Sequence, residues 1–473
     1  AKAGWHNEIY DIRDGMDPFS SLPISEAMLE NLKGLDYVTM TEIQSASIPS
    51  ILDRKDVLAQ AKTGSGKTAA FGIGIMETLN TSRYRVQALV LCPTRELATQ
   101  VTDELRRIAR FKHNLKLVSL TGGIAMSRQE LSLKHQAHVV VGTPGRVLKL
   151  LQRGSLVLDE VAMVVLDEAD RMLDMGFVEQ IKAIFRFAPA KRQTLCFSAT
   201  FPDDVRQLSK SLQNRPKEIT VETQLDTAVL VQEFYRVPEK DKARATIELL
   251  AKHEPRSTLI FCNTKDKCRH VRAELNAAGL HCLAIHGDLE QKERTEVLIR
   301  FSNGSTTVLI ATDVAGRGID IDGLGAVINY DLPFEPEAYV HRVGRTGRAG
   351  SSGLAFSLMI PGEEFRVEAI NENMGSTFSA KVPDFQLGSK HPNQAPPMVT
   401  LSINGGRKNK ISRGDILGAL TSKDGIPGAD VGKIDRMDYL TFVAIKRRSA
   451  QRALEILQTA PIKGRRFLAI LND

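Results

Sequence analysis

The segment Ala61-Lys62-Thr63-Gly64-Ser65-Gly66-Lys67-Thr68 joins an apolar run, Val57 to Ala61, to a run of helical period that opens at Thr68. Backbone N–H groups from Thr63 to Thr68 can close around a β-phosphate, because Gly64 and Gly66 allow the sharp turn and the helix N-terminus adds partial positive charge. Lys67 then reaches the β- and γ-phosphates as a mobile point charge, and the Thr68 hydroxyl is placed to ligate Mg²⁺. A later apolar run, Met163 to Asp167, ends in Asp167-Glu168-Ala169-Asp170. Its adjacent carboxylates fall at the carboxyl edge of a sheet, where open α/β folds bind ligands. Asp167 suits holding Mg²⁺ through water, and Glu168 suits orienting and deprotonating an attacking water. An acidic strand end by itself is often a solvated loop; its position after the fourth apolar strand of a P-loop domain favours the site.

The elements that must position these residues are legible from patterning. Apolar, β-branched runs alternate with helical-period segments at 57–61, 88–92, 138–142, 163–167 and 194–198, and again at 258–262, 282–286, 307–311, 326–330 and 353–358. That alternation reads as βαβ units and parallel sheets, in two tandem α/β domains. The joint between them falls near 220–232, where no strong period is visible. The segment 381–397 concentrates Pro, Gly, Ser and Asn without periodicity, as an extended tether does. The expected division is an N-terminal extension 1–18, domains 19–222 and 223–380, a linker 381–397, and a small unit 398–473. In that last unit, strand, helix, strand, strand, helix and strand follow in the order of an RNA-recognition motif, an α+β layout.

Charge adds a second signal. The chain carries 63 Lys+Arg against 56 Asp+Glu, a net +7; residues 398–473 hold 14 basic and 7 acidic residues, and the remainder balances at 49 of each. The whole excess therefore lies in the small C-terminal unit, an electrostatic footprint for nucleic acid or else a solvated surface. Five scattered cysteines form no C-x-x-C pair and read as buried thiols of a reducing compartment. No apolar run approaches the roughly 18 residues of a membrane span, and the first residues lack the basic-then-apolar layout of a secretory signal. The expectation is a cytoplasmic protein with no membrane partner.

In order from about Phe19 to Arg348, the motifs resemble those of the DEAD-box helicases of superfamily 2. YVTMTEIQ (37–44) resembles the Q motif, which implies that Gln44 reads the adenine edge of ATP and Tyr37 stacks on its face; Met40 replaces the family's usual Pro. Pro93-Thr94-Arg95, Gly122-Gly123 and Thr143-Pro144-Gly145-Arg146 resemble the RNA-backbone segments of the first domain. Ser198-Ala199-Thr200 resembles the segment that couples hydrolysis to domain movement. In the second domain, FCNT (261–264), ATDVAGRGID (311–320) and HRVGRTGR (341–348) follow. The resemblance implies RNA contacts for Asn263, Thr264 and Thr312, and nucleotide contacts for Gly318 and for Asp320, which reaches the ribose. Arg345 and Arg348 are then the fingers that stabilise the γ-phosphoryl charge, on one side of the chain if the segment is helical. Such a protein uses ATP and Mg²⁺ to separate short RNA duplexes locally.

The C-terminal unit, behind such a core, resembles the bacterial DbpA group. This implies a specific RNA partner, the 23S rRNA hairpin near the peptidyl-transferase centre (the hairpin 92 region), within large-subunit assembly intermediates. The candidate contacts are Arg407, Lys408, Lys410, Arg413, Lys446, Arg447 and Arg448. Phe442 stands at a stacking place, whereas Leu440 occupies another, a departure from the aromatic pattern of such domains. A monomer is assumed. Two other readings stay open: a DNA-translocating helicase, which shares the P-loop and arginines, and an RNA clamp in which ATP only controls grip.

Overall fold

Short runs such as Val139–Gly142 and Met163–Asp167 are buried along their whole length, which only a strand covered on both faces permits. The computed structural model describes residues 17–61, 64–135, 137–221, 230–313, 323–347, 353–383, 395–422 and 425–472. The chain divides into two compact units, meeting between Leu225 and Asp226.

In the first unit β1 (Val57–Gln60), β2 (Ala88–Leu91), β3 (Leu117–Leu120), β4 (Val139–Gly142), β5 (Met163–Asp167), β6 (Gln193–Ser198) and β7 (Lys217–Thr220) form one parallel sheet. Its order is β3-β4-β2-β5-β6-β1-β7. Apolar layers pack on both faces, one around Phe71, Ile75, Leu105 and Phe197, the other around Leu89, Val140, Leu150 and Leu166. Strand β3 is not among the expected runs. It is an edge strand whose residues alternate between half-buried and buried, so its apolar signal is only two residues deep.

The second unit holds β8 (Leu230–Arg236), β9 (Thr258–Phe261), β10 (Cys282–Ile285), β11 (Val308–Ala311), β12 (Ala326–Asn329), β13 (Gly353–Met359) and β14 (Ala380–Lys381), in the order β10-β11-β9-β12-β13-β8-β14. The expected joint at 220–232 overlaps β8, which pairs in parallel with β13 from Leu230 to Arg236. Gln232 and Glu233 hide this strand from a hydropathy reading, and its partner lies more than a hundred residues away.

The same unit contains a third sheet. It comprises β15 (Met398–Ile403), β16 (Val431–Arg436), β17 (Thr441–Lys446) and β18 (Ala469–Asn472), antiparallel in the order β16-β17-β15-β18. The helices Arg413–Leu420 and Ala450–Thr459 cover one face, over a core of Leu401, Ile403, Ile416, Val443, Ile445 and Leu457. The expected order of elements is the observed one, and the small domain belongs to the second compact unit instead of standing apart. Among the described residues no helix is long and apolar enough to cross a membrane, and all five cysteines are buried thiols.

Candidate nucleotide and RNA sites

Gly64 and Gly66 take φ of 78° and 95°, values open to glycine without strain, and Gly66 caps the helix Lys67–Thr78. Lys67 is buried, and its Nζ donates to the Ala61 carbonyl at 2.9 Å. Thr68 is the second residue of the helix and half-buried. Thr63 lies outside the described residues. The loop is braced from the preceding helix Glu42–Leu52: the Thr41 hydroxyl donates to the Ser65 carbonyl at 2.7 Å, and Gln44 Nε2 donates to the Gly66 carbonyl at 3.1 Å. Gln44 Oε1 also accepts from Thr41 N at 2.9 Å. Both ends of the Gln44 amide are thus engaged with the protein, Nε2 with the phosphate loop and Oε1 with the Thr41 backbone. Tyr37 is anchored on the helix Arg95–Ile108, with its hydroxyl donating to Glu104 at 2.6 Å and its ring edge-on to Phe19. Thr41 is a bracing residue that the sequence alone did not single out.

β5 delivers Asp167 to the sheet edge as a buried carboxylate whose Oδ1 has no hydrogen-bond partner. Burial pushes its pKa up to about 7, with Lys67 opposing and Glu168 adding to the shift. An orphaned, buried carboxylate oxygen fits a divalent cation. Among the described residues no group of three or more His, Cys, Asp or Glu could hold a metal, so Mg²⁺ would take most of its ligands from phosphate and water. Glu168 adopts φ 58°, ψ 56°, and forms a buried ion pair with Arg171 at 2.8 Å. Asp170 faces the neighbouring strand end: its Oδ2 accepts from Ala199 N, Thr200 N and Thr200 Oγ1 at 3.0–3.1 Å, and its own N–H donates to Ser198 Oγ at 3.1 Å. Asp170 and Arg171 carry no assigned role in the sequence reading, and only the fold reveals them.

The carboxyl edge of the first sheet is partitioned. β1, β5 and β6 carry the phosphate loop, the acids and Ser198–Thr200, whereas β2, β4 and β3 carry the other group. Pro93 is buried, and Thr94 caps its helix by accepting from Leu97 N. The Arg95 guanidinium lies over Gly122, where an added Cβ would meet it at 2.6 Å. Gly123 turns the chain at φ 78°, and nothing lies within 4 Å of a Cβ placed on Gly145. Arg146 Nη1 donates to the Ile124 carbonyl at 2.8 Å and to Gln129 Oε1 at 2.6 Å, which makes Gln129 an orienting residue missed from sequence. Burial and then the charge of Arg95 lower the Arg146 pKa. Two guanidinium groups held this near to one another favour an anion beside them.

In the second unit Arg342 is the hub. Only 1% exposed, it donates to Asp313 through Nε and Nη2 at 2.7 Å each, to Asn329 at 3.2 Å, to the Asp331 carbonyl at 2.7 Å and to Asn263 Oδ1 at 3.0 Å. Asn263 Nδ2 also donates to the Leu332 carbonyl at 2.9 Å. The side chain proposed to touch RNA is therefore occupied in fixing its own loop, while Thr264 is exposed as the cap of the next helix. Thr312 is half-buried just beyond β11. Arg345 is buried in a turn, because the helix Pro336–Val343 ends at Gly344; the helical spacing argument for the two arginines does not apply. Arg348, Gly318 and Asp320 lie outside the described residues.

The C-terminal domain splits its candidate cations between opposite ends of a sheet about 20 Å long, taking six residues at roughly 3.3 Å. Exposed Arg407, Lys408 and Lys410 lie on the loop after β15, next to the turn before β17, with Arg407 N and Lys408 N donating to the Met437 and Asp438 carbonyls at 2.9 Å. The loop before β18 joins them, bringing exposed Lys463, Arg465 and Arg466. Tyr439, 59% exposed, stands on the turn before β17, and Leu468, 62% exposed, on the loop before β18. Arg413 opens the following helix and is exposed. Lys446, Arg447 and Arg448 lie at the other end and are engaged: Asp430 accepts from Arg448 at 2.5 and 2.9 Å and pairs with Lys446 at 3.2 Å, and Arg447 Nε donates to the Pro396 carbonyl at 2.8 Å. Arg448 and Ser449 together hold the Asp430 carboxyl well below its ordinary range. Phe442 is only 2% exposed, so the expectation that it stacks bases meets a covered ring.

Residues 41–208 match the DEAD/DEAH box helicase family, 241–350 the helicase conserved C-terminal domain, and 400–469 the DbpA RNA binding domain. The ATP-dependent RNA helicase DbpA of Escherichia coli is 47% identical over 451 residues, which are 95% of this chain and 98% of that one. The Bacillus subtilis DbpA is 38% identical over 473 residues, 96% of this chain and 98% of that one. Among solved structures, Saccharomyces cerevisiae Dbp5 bound to RNA and ADP BeF3 superposes with a TM-score of 0.70 at 32% identity, over 78% of this chain and 96% of that one.

Proposed function

Because this chain belongs to the DEAD-box ATP-dependent RNA helicases, in the DbpA group, we propose that it couples ATP hydrolysis to local opening of an RNA duplex, at a site chosen by its C-terminal domain. The relatives' identity extends over almost the full chain, C-terminal domain included, and this carries the reading. It is an RNA-dependent ATPase and helicase.

In the proposed reaction the loop Gly64–Thr68 wraps the phosphates, Lys67 turns from Ala61 toward the β- and γ-oxygens, and Glu168 takes the proton of the attacking water. Mg²⁺, held by Asp167 through water and by Thr68, would neutralise charge on the phosphates. Arg345 and Arg348 stabilise the γ-phosphoryl charge. Arg95, Arg146 and the backbone around Gly122, Gly123 and Gly145 grip one RNA strand by its backbone, and Thr264 and Thr312 extend that grip. Asp170 transmits the state of the acids to Ser198 and Thr200.

The address is proposed to be the 23S rRNA hairpin of large-subunit assembly intermediates, read by the loop end of the C-terminal domain. Exposed cations with an exposed tyrosine suit phosphate contact and base stacking; the clamped Lys446–Arg448 end suits neither. The Q-motif-like segment and the DEAD tetrad disfavour a DNA helicase. ATP hydrolysis measured with no nucleic acid, generic RNA, DNA of equal length and hairpin RNA tests the reading. Selective stimulation by the hairpin is expected. Equal stimulation by all RNAs would remove the address, and stimulation by DNA alone would remove the helicase assignment. Glu168→Gln should retain ATP and RNA binding while losing turnover; retained turnover would take Glu168 out of its role.

A further inference from the structure

The two most exposed phenylalanines among the described residues, Phe334 at 69% and Phe365 at 61%, stand together although a helix and a strand separate them in the chain. Phe334 lies on the loop after β12, and Phe365 in the first turn of the helix Glu364–Met374, which follows β13. Arg366 joins them, its guanidinium 4.7 Å from the Phe334 ring centroid and 5.7 Å from that of Phe365. That guanidinium is itself tied down, donating to the Leu332 carbonyl at 3.0 Å and pairing with Glu363 at 3.5 Å. The same carbonyl accepts from Asn263, so the rings rest on a braced loop. Rings held by a fixed cation lose little freedom on meeting a partner.

The surroundings of the rings are acidic. Val367, Ile370 and Met374 turn inward onto the core of Phe234, Leu332 and Tyr339, which leaves Phe365, Glu368 and Glu372 as the outward ridge of the helix at helical spacing. Asn373 Nδ2 donates to Glu337 at 3.3 Å, which brings the start of the helix Pro336–Val343 against this one. Glu335, Glu337, Glu368 and Glu372 are all exposed. Among the described residues the carboxylates of Glu335, Glu368 and Glu372 meet no cation or donor, whereas Glu364 pairs with Arg236 at 2.9 Å. Like charges gathered around the rings repel the phosphates of RNA. The rings therefore differ in use from Tyr439, which stands among cations.

We infer that this face docks a protein segment rich in Lys or Arg with aliphatic side chains between them. The aliphatic groups seat on Phe334 and Phe365, and the cations meet Glu335, Glu368 and Glu372. Aromatic anchors rimmed by polar groups are where a few residues carry most of the binding, and the opposite charge selects the partner and speeds encounter. The C-terminal domain addresses RNA, whereas this face addresses a basic protein, and it does so whichever RNA is bound. None of these five residues has a part in the nucleotide or RNA sites described above.

The test uses the full chain and a fluorescein-labelled peptide of roughly four helical turns, with leucines on one helical face and lysines elsewhere. A peptide of the same composition in scrambled order is the control. Fluorescence anisotropy should show the striped peptide bound and the scrambled one bound more weakly. Phe334→Ala with Phe365→Ala should weaken the striped peptide by roughly tenfold or more. Glu368→Gln with Glu372→Gln should also weaken it, by a factor that shrinks as salt rises. Both pairs replace exposed side chains, so melting temperature, RNA affinity and RNA-stimulated ATP turnover should stay at the parent's values. Binding of neither peptide, or equal binding of both to parent and variants, would overturn the docking face. A fall in RNA affinity in the phenylalanine pair would give the rings to RNA and overturn it as well. So would self-association of the chain alone in sedimentation that the phenylalanine pair abolishes, since the face would then serve a second copy.

Discussion

Asp170 Oδ2 accepts from the Thr200 hydroxyl at 3.0 Å, and the same oxygen accepts the backbone N–H groups of Ala199 and Thr200. The last carboxylate of the tetrad therefore holds the neighbouring strand end by three hydrogen bonds, each strengthened by its charge.

Asp170→Asn keeps the shape but removes the charge and turns one acceptor into a donor. The expected destabilisation is about 1.5–3 kcal/mol. Unwinding should fall more than ATP turnover, so that duplex opened per ATP drops roughly tenfold, a ratio relevant to coupling and read from paired assays. An equal fall in both rates would show that Asp170 supports hydrolysis alone.

Gly66→Ala tests the brace on the phosphate loop. A Cβ there would stand 2.4 Å from Gln44 Nε2 and 3.0 Å from Thr41 Oγ1, at φ 95°. The strain and clash should cost about 1–3 kcal/mol, and ATP binding should weaken by an order of magnitude or more, because the loop and the Gln44 brace must both move. Titration with ATP, alongside thermal melting, separates the two effects.

For Asp167, folding raises the carboxyl pKa to about 7 from an unfolded value of roughly 3.9. The folded state thus favours the protonated form. Stability is undiminished at acid pH, falls as pH rises from about 4 to 7, and is level above that. Without nucleotide or Mg²⁺, Asp167→Asn should melt above the parent at pH 8, by on the order of 2–4 kcal/mol, and show no such advantage near pH 4. ATP turnover should be lost. A stability gain independent of pH would assign the effect to packing.

The two ends of the C-terminal sheet should behave differently toward salt. Neutralising Lys408 or Arg465 on the loop end should lower the slope of log affinity against log salt by roughly one for each phosphate contact removed. Arg448→Ala should leave that slope unchanged, since its guanidinium is engaged by Asp430. Asp430 itself has a lowered pKa, so its contribution to stability is present above the ordinary carboxylate range and lost as pH falls through the lowered value. The parent should therefore be more stable than Asp430→Asn at neutral pH, and that advantage should vanish as pH falls through the low range.

What the sequence determined by itself is what local pattern encodes. Apolar runs of four to six residues between helical segments mark strands buried on both faces, so ten of them, the phosphate loop at Gly64–Thr68 and the acids at Asp167–Asp170 are legible without a structure. The same holds for the order of elements after Met398 and for the basic excess there. Only the tertiary structure decided the rest, because it depends on which distant segments meet. Strand β8 is identified by its pairing with β13 and not by hydropathy. Gln44, Asn263 and Arg342 look like ligand contacts or nothing in a linear reading, yet the fold engages their side chains in holding loops. The cations near Arg407 and near Arg448 are equal in composition; three converging loops present one set, while Asp430 and the Pro396 carbonyl engage the side chains of the other. Phe442 sits at a stacking position in the strand pattern and is covered, because a second sheet face is apolar or open only according to what the rest of the chain places against it.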